Sequence, residues 1–117
     1  MKEFVLLFRM DITNKEAQPT KKQMDIYMQQ WMSWINEIAD SDQLVDGGNH
    51  FSRQGRVLKP NNVIFETPYI SESNSVAGYI IVLAKNIDEA TKIAKKCPIL
   101  SGQNTSVEIR ETATPGQ

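Results

Sequence analysis

Cysteine and histidine occur once each in this 117-residue chain, as Cys97 and His50. One cysteine excludes an intramolecular disulfide and fits a reducing compartment. One histidine excludes a multi-histidine metal site within a single chain. No stretch approaches the roughly 18 apolar residues of a membrane helix. The apolar run Phe4 to Phe8 is too short for the core of a signal peptide and follows Glu3. Charge bias is missing too: 13 Lys and Arg against 14 Asp and Glu leave a net charge of −1, which removes any whole-chain attraction to nucleic acid or anionic membrane. We therefore expect a cytoplasmic protein that partners neither nucleic acid nor membrane and carries no cofactor or metal. A chain of this length with 40% hydrophobic residues suits one domain that folds without staples. Its expected span is 1–112, with 113–117 a frayed tail.

What is present is ordered by period. Phe4 to Met10 reads as a strand with both faces apolar: Phe4, Leu6, Phe8 and Met10 on one, Val5 and Leu7 on the other. A polar loop, Asp11 to Pro19, precedes a helix. Thr20 and Gln23 stand at capping-box spacing, and Met24, Tyr27, Met28, Trp31, Trp34, Ile35 and Ile38 recur at intervals of three and four up to about Asp40. Leu44 to Phe51 reads as a short strand broken by Gly47-Gly48. Gln54-Gly55 is expected to turn a hairpin into Arg56-Val57-Leu58, and Pro60-Asn61-Asn62 to turn toward Val63-Ile64-Phe65. Ile70 to Ser75 reads as a mobile loop. Val76 to Ala84 is the strongest strand, apolar almost throughout. Asn86 and Glu89 repeat the helix-start spacing, and Ile87, Ala90, Ile93, Ala94 and Cys97 form a second stripe stopped by Pro98. Thr105 to Glu111 alternates as a last strand.

The order is β-α-β, a central hairpin region, then β-α-β, which predicts an α+β, ferredoxin-like antiparallel sheet with two helices on one face. Two strands without a polar face require cover on the other side. A second copy of the chain, sheet against sheet, supplies it; the competing cover is the chain's own loop from Phe51 to Tyr69.

Several segments together carry a family likeness: the helix with Trp31 and Trp34, Leu44-Val45-Asp46-Gly47-Gly48, Ala77-Gly78-Tyr79, Ile87-Asp88-Glu89-Ala90, Lys96-Cys97-Pro98 and Val107-Glu108-Ile109-Arg110. In this order the chain resembles the YCII-related, or DGPF-domain, family over nearly its whole length. The resemblance implies a ferredoxin-like fold and a homodimer built as a dimeric α/β barrel. The Asp-Gly-Pro-Phe signature corresponds to Glu66-Thr67-Pro68-Tyr69, with the glycine lost. The His-Asp pair proposed for YCII-type members maps to Gln30 or Trp31 and to Cys97 before Pro98, so neither residue type is present there. Whether the chain is an enzyme therefore stays open.

Five residues are candidates for a binding site: Arg9, Trp31, His50, Glu66 and Tyr69. Arg9 interrupts an apolar strand, and if it points inward it needs a carboxylate or an anionic ligand. Glu66 and Tyr69 could orient a small polar ligand from a loop beside the sheet. His50 could act as a base held by Asp46 only if Gly47-Gly48 folds the chain back, since four residues of strand would hold the two more than ~10 Å apart. The glycine pair lacks the lysine and helix start of a phosphate loop, and a bulge explains it better. Cys97, at a helix C-terminus where the dipole disfavours thiolate, reads as structural. The tryptophan stripe reads as core, with one Trp edging a pocket. His50, Glu66 and Tyr69 are thus the weak catalytic candidates. The leading expectation is a dimeric domain binding a small polar or anionic molecule. The alternatives are a small cofactor-independent acid–base enzyme and, by the resemblance, a regulatory accessory protein linked to sigma factors.

Overall fold

Alternation along the first strand decides which way the molecule faces. In the computed structural model, which describes residues 1–13, 19–114 and 116, Phe4, Leu6 and Phe8 of β1 (Lys2–Asp11) are sealed, while Val5 and Leu7 between them are half-buried. The partner strand β5 (Asn74–Ala84) repeats the pattern with Ile80, Val82 and Ala84 sealed and Tyr79, Ile81 and Leu83 half-buried. Together with β2 (Leu44–His50) and β6 (Ser106–Glu111), these form a four-stranded antiparallel sheet in the order β2-β5-β1-β6. The two strands lacking a polar face are the two at its centre, as burial on both sides demands.

The sealed face carries both helices. Helix α1 (Lys21–Asp40) starts on the expected capping box: Gln23 N–H donates to Thr20 Oγ1, and Thr20 N–H donates to Gln23 Oε1. Its Trp31, Trp34 and Ile38 enter the core with Ala90 and Ala94 of α2 (Ile87–Ala94). Phe8 meets Trp31 edge-on at 4.9 Å and Trp34 at 6.0 Å, a geometry in which a ring's positive edge meets a negative face. The Trp34 indole N–H donates to Ile93 O at 3.0 Å, fastening α1 to α2. Met24 and Met28, counted on the stripe, are more than a third exposed, so the buried part of the stripe begins at Trp31.

Several sequence expectations are corrected. Helix α2 ends at Ala94, before Cys97. Cys97 precedes Pro98 and adopts an extended ψ of 128°, since the proline ring disfavours helical geometry in the residue before it. Cys97 nevertheless stays buried, and Pro98 opens a short 3-10 turn, Pro98–Ser101. The segment Ile70 to Ser75 is not a loop throughout: Ser71 and Asn74 exchange both backbone hydrogen bonds, closing a tight turn into β5. Gln54-Gly55 does not fold β3 onto β2. Instead β3 (Val57–Lys59) pairs only with β4 (Val63–Phe65) in a separate two-stranded sheet. Its turn places Asn61 and Asn62 at φ of 67° and 61°, which asparagine tolerates. Asp11 belongs to β1 rather than to the following loop, of which residues 14–18 lie outside the described residues. Of the expected tail, 115 and 117 also lie outside them, and Thr112 N–H donates to Glu3 O.

The result is an α+β slab with extents of 46 × 42 × 19 Å. Neither helix packs on its second sheet face. No helix among the described residues is long and apolar enough to cross a membrane.

Candidate functional site

Arg9 sits opposite an irregularity in β5. Phe8 pairs with Gly78 and Arg9 with Val76, so Ala77 is the extra residue of a bulge on the partner strand, while the pairing of β1 with β6 stays regular. The guanidinium lies on the open face, where its Nη1 donates to Glu108 Oε1 at 2.5 Å. Arg110 approaches the other oxygen at 3.3 Å. Hydrogen bonds from Arg9 first, and from Arg110 second, hold the Glu108 carboxyl below its usual pKa. Of the two partners expected for an inward Arg9, a carboxylate or an anionic ligand, the carboxylate is supplied from β6. Five N–H donors sit on a guanidinium, so one contact with Glu108 leaves donors for a second acceptor.

Beside Arg9 opens a cleft of about 400 Å³, roofed by the segment that joins β2 to β5. Phe51, Arg56, Tyr69, Asn74 and Ser75 line it with Arg9. Each wall has a local cause. Phe51 continues past the end of β2, with its N–H donating to Ala77 O at 2.8 Å and its ring 6.1 Å from that of Tyr79. The buried Ser75 hydroxyl donates to Tyr69 O at 2.5 Å and ties the returning chain to the sheet. Gly55 crosses Pro68 so closely that a Cβ would lie 3.1 Å from the proline Cγ. Among the described residues the lining thus includes two arginines, two aromatic residues and several neutral hydrogen-bonding residues and no Asp or Glu, with Glu108 held on Arg9 from β6.

Arg9 and Tyr69 are the two sequence candidates brought together. The other three lie elsewhere. Trp31 is sealed in the core against Phe8, Tyr27 and Trp34. His50 faces the helix side, opposite Gly78, with its ring 5.5 Å from Trp31. Glu66 is exposed just beyond β4 and does not line the cleft. The Asp46–His50 pairing does not form, because the register sets Asp46 opposite Ile81 on the open face and His50 on the helix face. Gly47-Gly48 makes a bulge instead: Gly48 adopts φ of 65° and its N–H donates to Asp46 Oδ1. Arg56, Phe51 and Ser75 are not legible as site residues; the turn-rich composition of 51–69 marks the segment that carries Phe51 and Arg56, and Ser75, at the start of β5, has no such signal.

Elsewhere the chemistry is quiet. The hollow between α1 and α2 carries two polar pairs, Lys96 with Glu37 and Gln43 with Glu89, and is also lined by Lys92. Burial pushes the Cys97 thiol up to about 12, against a smaller opposing pull from a backbone hydrogen bond at Ile99, so the group is not a nucleophile near neutral pH. Among the described residues no cluster of three or more His, Cys, Asp or Glu could hold a metal. The described lining residues include two arginines, whose guanidinium groups are N–H donors, and no nucleophile with an adjacent base is among them. In comparisons with known proteins, no family model and no curated protein matches this chain.

Proposed function

We propose that the chain is a ferredoxin-like domain of the YCII-related, DGPF type that forms a homodimer of the dimeric α/β barrel kind in the cytoplasm and binds a small anionic molecule beside Arg9. The carrying observation is the cleft, whose described lining residues include Arg9, Arg56, Phe51 and Tyr69 and no Asp or Glu, with Glu108 engaging Arg9 from β6. Guanidinium groups match carboxylate and phosphate geometry, and aromatic walls suit a flat or apolar ligand body. The strand order, with both helices on one face and an apolar opposite face, supports the ferredoxin-like and dimeric parts of the reading. The acid–base enzyme gains little support, because His50, Glu66 and Tyr69 stand on separate parts of the fold.

A panel of small carboxylates and phosphates, aromatic and aliphatic, screened by thermal shift tests this. A ligand at about 100 times its Kd raises stability by about 2.7 kcal/mol. The expected result is a stabilising anion whose effect is lost in both Arg9→Gln and Arg56→Gln. Stabilisation by none of the panel, or stabilisation that persists in both variants, overturns the anion site. Light scattering that shows a monomer at micromolar concentration overturns the dimer.

A further inference from the structure

The β3–β4 hairpin is an arm. Its strands pack chiefly on each other and make no extensive contact with any other element. Register pairs Leu58 with Ile64 across it, and these two are 72% and 56% exposed. The opposite side, with Val57 and Phe65, borders a small hollow with Pro68 and Tyr69, yet Val63 and Phe65 there are 42% and 48% exposed, so Leu58 and Ile64 are the barest apolar residues of a hairpin exposed on both sides. A lone two-stranded hairpin is marginal in water at best, and a bare apolar pair at its centre adds to the cost. The arm also explains the shape: the radius of gyration is 15.7 Å, against about 13 Å for a compact domain of this length.

The open sheet face has the matching deficit. Val5, Leu7, Tyr79, Ile81 and Leu83 form an apolar strip along the two central strands on which neither helix packs, flanked by Glu108 and Arg110 on β6 and by Asp46 on β2. Four strands spaced ~4.8 Å, each with about seven residues in play, give a flat footprint of roughly 400 Å². Two copies paired by that face alone would bury about 800 Å², the upper end of incidental contacts and short of the ~1,000 Å² a specific interface needs. One further apolar element per copy closes the gap, and the arm, with Leu58 and Ile64 72% and 56% exposed, is an exposed apolar element able to do so.

We infer that the β3–β4 arm of each copy reaches across the dimer seam and seats Leu58 and Ile64 on the rim of the second copy's open sheet face. This rests on the homodimer proposed above. A second copy is the occupant favoured because a two-fold pairing uses the bare arm and the bare face of every protomer at once. Since the roof of the cleft at Arg9 continues directly into the arm, dimerisation then braces the cleft as well.

The test is photo-crosslinking from Leu58→p-benzoylphenylalanine in a mixture of isotopically light and heavy full-length chains, with the linked peptides mapped by mass spectrometry. Links between light and heavy chains that join the arm to residues 2–11, 74–84 or 106–111 are expected. Links within one chain, links between two arms, or no link in a protein that light scattering shows to be dimeric overturn the arm while leaving the dimer standing; a monomer overturns both. As a second measure, Leu58→Asp with Ile64→Asp should weaken dimerisation at least about a hundredfold with the circular dichroism of the fold unchanged. A double variant that dimerises like the wild type also overturns the arm.

Discussion

Arg9 donates to Glu108 across neighbouring strands β1 and β6, on the sheet face that carries no helix. The pair is about a third exposed, so solvent screens it, and its value lies in aiming the guanidinium as much as in stability. Because the Glu108 pKa is lowered from the usual 4.5 by Arg9 and then Arg110, the folded chain favours the ionised carboxylate. That contribution is present above about 4.5 and is lost as pH falls through the lowered folded value. Glu108→Gln should therefore be less stable than wild type near neutral pH. The gap in urea midpoints should close as pH drops below that range. A gap independent of pH would show that Glu108 is not the titrating partner of Arg9.

Gly48 is fixed by a close approach. At φ of 65°, a Cβ built on it would lie 1.6 Å from Tyr79 O, a backbone atom of the central strand. An alanine there must both adopt the left-handed region and push β2 off β5, so Gly48→Ala should cost at least about 2 kcal/mol. Gly47 adopts no positive φ and has nothing within 4 Å of such a Cβ, so Gly47→Ala should cost well under half as much. Equilibrium unfolding of the two variants side by side checks the contrast, and equal costs would refute it.

Glu72 and Ser73 hold φ of 52° and 70° in the two-residue turn that Ser71 and Asn74 close. Turns with two left-handed residues favour Asn-Gly, and this one has neither. Glu72→Asn combined with Ser73→Gly should stabilise the protein by about 1 kcal/mol, read as a higher urea midpoint at unchanged slope. A lower midpoint would mean that the native side chains make contacts worth more than the relieved strain.

That same turn shows where the sequence stops being legible. The helix stripes and the two central strands could be read because their periods of 3.6 and 2 are written in apolar residues. Thr20 and Gln23 marked the start of α1 because capping is local chemistry. The turn at Glu72-Ser73 carries no glycine, so its polar residues looked like loop. Arg9 could be flagged as a cation in an apolar strand, but its partner Glu108 lies 99 residues away, and only the β1–β6 register brings them together. The cleft was harder still. Ser75 and Phe51 line it through backbone anchoring to Tyr69 and Ala77, and a hydrogen bond to a distant carbonyl leaves no trace in residue type. His50 drew attention by rarity alone, and the strand register turned it toward Trp31 and away from Asp46.

Alkaline pH should loosen the core through one buried acid, Cys97, and one half-buried acid, Tyr27. Cys97 is 3% exposed, and burial raises its thiol from 9.0 to about 12. Tyr27 rises from 10.0 to about 12, first by burial and then through the nearby Cys97. Both groups keep their protons longer in the folded chain than in the unfolded one. Stability is therefore fully present below about 9, where both states are protonated, and falls as pH rises toward 12 and the unfolded chain alone ionises. The unfolding free energy of the wild type should decline across this window. Cys97→Ala will be less stable at neutral pH because it leaves a void among Ala94, Ile99 and the α1 side chains, yet its decline with alkali should be shallower. Tyr27→Phe should flatten the upper part of the same window. If Cys97→Ala falls with pH as steeply as the wild type, the thiol is not the group that opens the core.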